Sequence, residues 1–175
     1  MKKSIGLWQW AGFAVTSFVG TLLHFLYDLS GEAIRIAPFS GVNESTWEHM
    51  KLLFWPMLIY AAVQSRAFRA QENFWCIQCR SILLGLCLIP ILFYTYNGVI
   101  GRSPDWINIA IFFLSAAAAY LYGARRLRQN TLRCPSPILA RLLLGTVAAL
   151  FVLFTFVTPE LGIFRDPLTG AYGIA

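Results

Sequence analysis

The 175-residue chain is 58% hydrophobic and only 13% charged, with a net charge of +6, a balance outside the range of ordinary water-soluble domains. Its length suits one domain. The basic residues stand between long apolar runs and form no amphipathic face or groove, so nucleic acid is excluded and a membrane surface is the natural counterpart of the charge.

Five segments reach the roughly 20 mostly apolar residues needed to cross a hydrocarbon core about 30 Å thick. They lie near 7–28, 47–64, 81–100, 105–124 and 138–158. The expected fold is an all-α bundle of about five transmembrane helices in a single domain. The first segment follows Met1-Lys2-Lys3, yet it is too long for a signal-peptide core and no small-residue cleavage site follows it, so it is expected to remain as a helix. Thr16, Gly20, His24 and Asp28 recur every four residues along it and share one stripe that cannot comfortably face lipid.

The loop 29–46 leads to the densest polar run of the chain, Asn43-Glu44-Ser45-Thr46-Trp47-Glu48-His49-Met50-Lys51. Ser45 and Glu48 have capping-box spacing, in which the hydroxyl takes the N3 amide and the carboxylate takes the N-cap amide. Glu44 and Glu48 share a face if the second helix begins early, with His49 about 100° away. That helix is the shortest segment and contains Pro56; the alternative is a four-helix chain in which it is re-entrant.

The loop 65–80 contains Cys76-Ile77-Gln78-Cys79. A redox motif or half a zinc site is the alternative, but with no second C-x-x-C, and with Cys87 and Cys134 unsuitably spaced to complete four ligands, the pair is expected to be free interfacial thiols in a loop where structural disulfides are uncommon. Pro90 interrupts the third segment, and Ala116, Ala117, Ala118 and Ala119 on the fourth offer a close-packing surface for a partner helix. Cys134-Pro135-Ser136-Pro137 introduces the fifth. The tail 159–175 is punctuated by Asp166-Pro167 and Thr169-Gly170 and carries aromatics, so it is expected to pack as a lid.

Lys and Arg concentrate on cytoplasmic loops. With the N-terminus inside, the inner side takes Lys2, Lys3, Arg66, Arg69, Arg80, Arg125, Arg126, Arg128, Arg133 and Arg141, and the outer side only Arg35, Lys51, Arg102 and Arg165. An N-in, C-out topology follows. It places every acid except Glu72 outside, with both histidines. Trp8, Trp10, Tyr120 and Tyr122 fall near the inner interface, and Tyr27, Tyr94, Tyr96 and Trp106 near the outer one. The arginine cluster 125–141 would anchor to anionic headgroups.

His24, Asp28, Glu44, Glu48, His49, Glu160 and Asp166 thus share one layer. Imidazole plus carboxylate suits zinc or another divalent metal, with His24, Glu44 and His49 as its ligands and an open position for water. The same groups suit proton coupling in a small transporter. The inner halves of the helices read as nearly featureless.

The strings NESTWEHMKL (43–52) and GIFRDPLTGAYG (162–173) resemble those of a family of small bacterial integral membrane proteins classed as a domain of unknown function. The resemblance implies a bacterial cytoplasmic membrane and carries over no catalytic residue. The favoured function is a binding or accessory membrane protein, acting with a membrane partner or as a homo-oligomer. The alternatives are a metal-dependent membrane-embedded enzyme and an oligomeric ion-coupled transporter or channel.

Overall fold

In the computed structural model, residues 2–101 and 104–174 are described, and of Lys2, Lys3 and Asp105 only the backbone. Arg102, assigned above to the outer side, lies outside the described residues, as do the side chains of Lys2, Lys3 and Asp105. The chain forms five helices, α1 (Lys2–Leu29), α2 (Thr46–Ala67), α3 (Phe74–Ile100), α4 (Asp105–Gln129) and α5 (Pro137–Phe156), then a short 3-10 turn, Gly162–Phe164. Among the described residues there is no strand, only an isolated antiparallel bridge between Arg165 and Tyr172.

Four of the helices, α1, α3, α4 and α5, are long and apolar enough to cross a membrane. The exception is α2, where Glu48, His49, Lys51, Gln64 and Arg66 dilute the apolar residues. Its position explains the tolerance: α2 is central and touches α1, α3, α4, α5 and the 3-10 turn, so Glu48, Lys51 and Gln64 are buried against protein, while Arg66 at its end is exposed. Leu53, Phe54 and Met57 of α2, Ile82 and Leu86 of α3, Ala116 and Ala119 of α4, and Leu144 and Phe151 of α5 form the core. Ala116 and Ala119 are buried within the chain and are therefore not open to a partner helix. Large apolar side chains such as Phe18, Leu114, Leu121 and Leu142 are exposed along α1, α4 and α5, a surface suited to lipid and ill suited to water.

The third helix starts seven residues earlier than its hydropathy suggests, because Phe74 and Ile77 bury themselves against Ile5, Phe68 and Leu127. Phe68 and Phe74 stack with ring centroids 5.9 Å apart. The C-x-x-C therefore lies in the first turns of α3 and not in a loop. Cys76 is bonded to Cys134 in the connection before α5, which corrects the expectation of a free thiol at Cys76; Cys79 and Cys87 are free. Spacing along the sequence concealed the pair, since α3 and α4 run antiparallel and return Cys134 to the start of α3. The expected featureless inner halves are also corrected: Gln9, Gln64, Gln78 and Ser81 are buried there, with Gln78 donating to Gln64 at 2.9 Å. Tyr120, expected near an interface, is buried and shares a 2.7 Å hydrogen bond with Thr16.

Pro56 has no N–H to offer the carbonyl of Leu52, one turn earlier in α2. Gly20 of α1 approaches that carbonyl so closely that a Cβ there would stand 2.8 Å from its oxygen and 2.6 Å from the Phe112 ring. A glycine is what lets α1 close on α2 at this level.

The end of the bundle where α2 begins is organised by Lys51. Its side chain is 0% exposed and that of Glu48 is 5% exposed, and the two pair at 2.5 Å. Lys51 Nζ also donates to the Ala37 carbonyl at 2.9 Å and to Thr155 Oγ1 at 3.0 Å. Three ammonium hydrogens thereby meet three acceptors, one each from the α1–α2 loop, α2 and α5. A buried charge left without its partner costs about 3–5 kcal/mol. Lys51→Met alone should therefore lower the melting temperature of the detergent-solubilised protein sharply. Lys51→Met combined with Glu48→Gln should recover much of the loss; equal melting temperatures for the single variant and the wild type would refute this role.

The disulfide spans a sequence separation of 58, and closing a loop of that length removes up to about 4 kcal/mol of unfolded-chain entropy. Reductant should lower the melting temperature of the wild type and leave that of Cys134→Ser unchanged, as read by thermal unfolding beside intact-mass alkylation.

Candidate metal centre

His24 stands five residues before the end of α1, Glu44 immediately ahead of the α2 N-cap, and His49 in the first turn of α2. Local hydrogen bonds bring these three stretches together. Ser40 Oγ donates to the Leu23 carbonyl and accepts from the Tyr27 amide at 3.0 Å, fastening the loop to α1 on either side of His24. Asn43 uses both ends of its amide: Oδ1 accepts from Ser45 N at 2.9 Å, and Nδ2 donates to the Gly173 carbonyl at 2.9 Å. Ser45 Oγ accepts from Glu48 N at 3.4 Å and caps α2.

Only half of the expected capping box is present. The Glu48 carboxylate accepts from the Val42 amide at 3.0 Å and pairs with Lys51, while Asn43 serves the Ser45 amide. Because α2 begins at Thr46, Glu44 lies ahead of the helix and shares no face with Glu48. The two carboxylates diverge: Glu48 turns inward to Lys51, and Glu44 turns to the histidines.

Glu44 stands between two imidazoles. Its Oε1 is 3.5 Å from His24 Nε2 and its Oε2 is 3.5 Å from His49 Nε2. The three side chains are 20–39% exposed, and the two rings lie 5.7 Å apart. One donor atom from each residue falls within 4.8 Å of the others. His49 Nδ1 lies 2.9 Å from the Ser45 carbonyl oxygen. A carbonyl only accepts, so Nδ1 carries the hydrogen, and in the neutral ring Nε2 presents a lone pair. A lone pair thus faces a carboxylate oxygen across a gap wider than an ordinary hydrogen bond.

That arrangement calls for a positive charge between the groups. Ligands about 2.1 Å from a tetrahedral zinc ion stand roughly 3.4 Å from one another; the two 3.5 Å separations, one to each Glu44 oxygen, match this spacing, while the three donors as a set lie within 4.8 Å and would have to tighten on an ion. Two histidines and one glutamate form a donor set found in zinc sites that keep a fourth position open. The Ser45 carbonyl behind His49 plays the part of the outer hydrogen bond that orients a ligating imidazole.

The three other candidates are not among these donors, although Asp166 is near enough to His49 to act on it through its charge. Asp28 is exposed at the end of α1, and Glu48 belongs to the Lys51 pair. Asp166 is buried, and its Oδ1 accepts from Leu168 N at 2.7 Å and Thr169 N at 3.4 Å, shaping the turn of the tail. Glu160, in the same predicted layer, is exposed. The tail packs on the start of α2: Phe164 is buried against Trp47, with ring centroids 4.8 Å apart, and Trp47 in turn meets Phe151 at 4.6 Å.

Beside the three donors opens a cavity of about 380 Å³ between α1 and α4, within the size range of small-molecule sites. Its walls are mainly apolar, with Phe25, Leu52, Ile109, Phe112 and Phe113; Thr21 and Asn108 also line it, and Leu168 of the tail reaches its rim. Neither the cavity nor the role of Lys51 was foreseen from the sequence. A lysine three residues after a glutamate in an apolar helix was the one signal that could have disclosed the pair.

A model of a family of unknown function, DUF6512, matches residues 1–174, and the chain belongs to that family. No curated protein and no solved structure matches it.

Proposed function

We propose that this DUF6512 member is a multi-pass membrane protein that binds a divalent metal ion of the zinc class through His24, Glu44 and His49, on the outer side of a bacterial cytoplasmic membrane. The observation that carries the reading is the placement of His24 Nε2 and His49 Nε2, each 3.5 Å from a different oxygen of the Glu44 carboxylate, with His49 Nδ1 on the Ser45 carbonyl. A dication satisfies all three donors at once. His49 supplies a nitrogen oriented by Ser45, His24 a second nitrogen from α1, and Glu44 the negative charge. The remaining position opens toward the cavity, so the protein is a metal-dependent binding protein or enzyme whose ligand arrives on that side. A bound dication would polarise an oxygen donor placed there.

All five helices cross the bilayer in this reading, with Glu48, Lys51 and Gln64 of α2 buried inside the bundle and Ile59 and Val63 exposed on its apolar side. The ten-to-four division of basic residues supports N-in, C-out. The Cys76–Cys134 bond then lies at the cytosolic end, where disulfides are uncommon; Cys76 is buried there and Cys134 half-buried.

A second reading uses the same donors for protons. A doubly protonated imidazole also satisfies the carboxylate, and buried polar pairs continue through the bundle, Thr16 with Tyr120 and Gln78 with Gln64. A protein-dependent proton flux in liposomes under a pH gradient, lost in His24→Ala, would favour this reading over the metal.

Chelator-treated protein in detergent should take up about one zinc ion per chain by isothermal titration calorimetry. Glu44→Gln and His49→Ala should weaken that binding at least tenfold with helicity unchanged. No uptake by the wild type, or equal uptake by the variants, would remove the metal reading. For the topology, with Cys87 replaced, Ile34→Cys should react with a membrane-impermeant maleimide in whole cells and Arg69→Cys should not. The reverse pattern would invert the orientation.

A further inference from the structure

The chemistry of the cavity beside the three donors narrows what this site takes. One end of the cavity is His24, Glu44 and His49; the rest of its wall is mainly hydrocarbon and aromatic, with Thr21 and Asn108 as its other polar side chains. It lies between α1 and α4, both long and apolar enough to cross a membrane, and the wall residues Phe25 and Ile109 are themselves exposed on the outside of the bundle. The opening is therefore lateral, toward where acyl chains would lie. The deep side is closed where Gly20 meets Phe112 and the Leu52 carbonyl.

An apolar hollow is a poor host for water, which needs two to four polar partners, and a good host for a hydrocarbon. At about 380 Å³, the hollow holds roughly a dozen groups the size of a water molecule, at about 30 Å³ each. That volume fits one short hydrocarbon chain and is too small for a two-chain lipid. A ligand lodged there places its head at the donors, where a dication favours an oxygen anion.

We propose that the site takes a single-chain amphiphile with an oxyanion head, of the free fatty carboxylate class, its head on the open metal position and its tail in the α1–α4 cavity. This rests on the metal reading above. The ligand enters sideways from the outer leaflet, and Leu168 on the tail covers the junction of head and chain. Binding needs both parts: the metal alone holds a headgroup weakly, and the cavity alone holds a chain without orientation.

The probe is dodecanoate, with acetate as head without tail, added to protein in phosphatidylcholine nanodiscs with and without zinc. Bound radiolabel is counted after gel filtration, and zinc uptake is measured separately by calorimetry. Zinc-loaded wild type should bind about one dodecanoate, at least tenfold more tightly than the zinc-free form and far more tightly than acetate. Ile109→Trp and, independently, Thr21→Trp fill the cavity from exposed positions on its wall; each should keep zinc uptake and lose dodecanoate at least tenfold. His49→Ala should lose the zinc and the zinc-dependent part of dodecanoate binding together.

Zinc uptake with acetate and dodecanoate bound alike would overturn the amphiphile and leave the metal standing. Dodecanoate binding indifferent to zinc, or to both cavity variants, would overturn it as well, and so would no saturable dodecanoate binding because bilayer lipid holds the cavity. Absence of zinc uptake would bring down the metal reading and this inference with it.

Discussion

The structure at the functional end depends on one buried ammonium group. Lys51 is wholly enclosed, and removing a charge from water is costly unless every donor is met. Here Glu48, the Ala37 carbonyl and Thr155 meet all three. The consequences spread outward from that point. The bond to Ala37 draws the α1–α2 loop over the start of α2, and Trp55 Nε1, donating to the Pro38 carbonyl at 2.9 Å, holds the next residue. Glu48, committed to Lys51 and Val42, is withdrawn from the histidines, so Glu44 alone reaches them. Thr155 brings α5 into the same knot, and the tail that follows it turns back over the site.

The donor cluster is consequently a product of loop placement more than of helix pattern. His24 comes from a spanning-length helix, yet its partners come from the segment between two helices and from a first turn. The loop is fixed on both flanks, by Ser40 against α1 and by Asn43 against the tail. A site built this way can be partly exposed and still geometrically defined, which suits a metal that must keep one position accessible. The neighbouring cavity owes its shape to a different cause, the close approach of Gly20 to a carbonyl that Pro56 leaves without its helical partner.

Much of the helical architecture was legible because hydropathy at spanning length is a strong signal: Leu142, Leu143 and Leu144 announce α5 without ambiguity. Ser45 was legible as an N-cap for a local reason, since capping joins residues three apart. His24, Glu44 and His49 were visible as residue types that a lipid-facing surface does not keep. What escaped was long-range. Thr155 gives no sign that it waits for Lys51, 104 residues away, and Cys134 none that it returns to Cys76. The early start of α3 was hidden because Trp75, Gln78 and Arg80 depress its hydropathy, although Phe74 and Ile77 have packing partners at Ile5, Phe68 and Leu127. Gln9, Gln64 and Gln78 were overlooked because single polar residues scattered over three helices acquire meaning only when the helices are assembled.

The long separation between Lys51 and Thr155 also sets an order of events during synthesis. At about 5–20 residues per second, the 104 residues between them take roughly 5–20 s to emerge, and for that time Glu48 is the only one of the two side-chain acceptors yet made. A helix carrying such a charge is a poor candidate to enter the lipid by itself as soon as it is translated. It has reason to wait at the wet interface or within the insertion machinery until α5 arrives. The fifth helix, made well after the second, would then act as the latch that commits it.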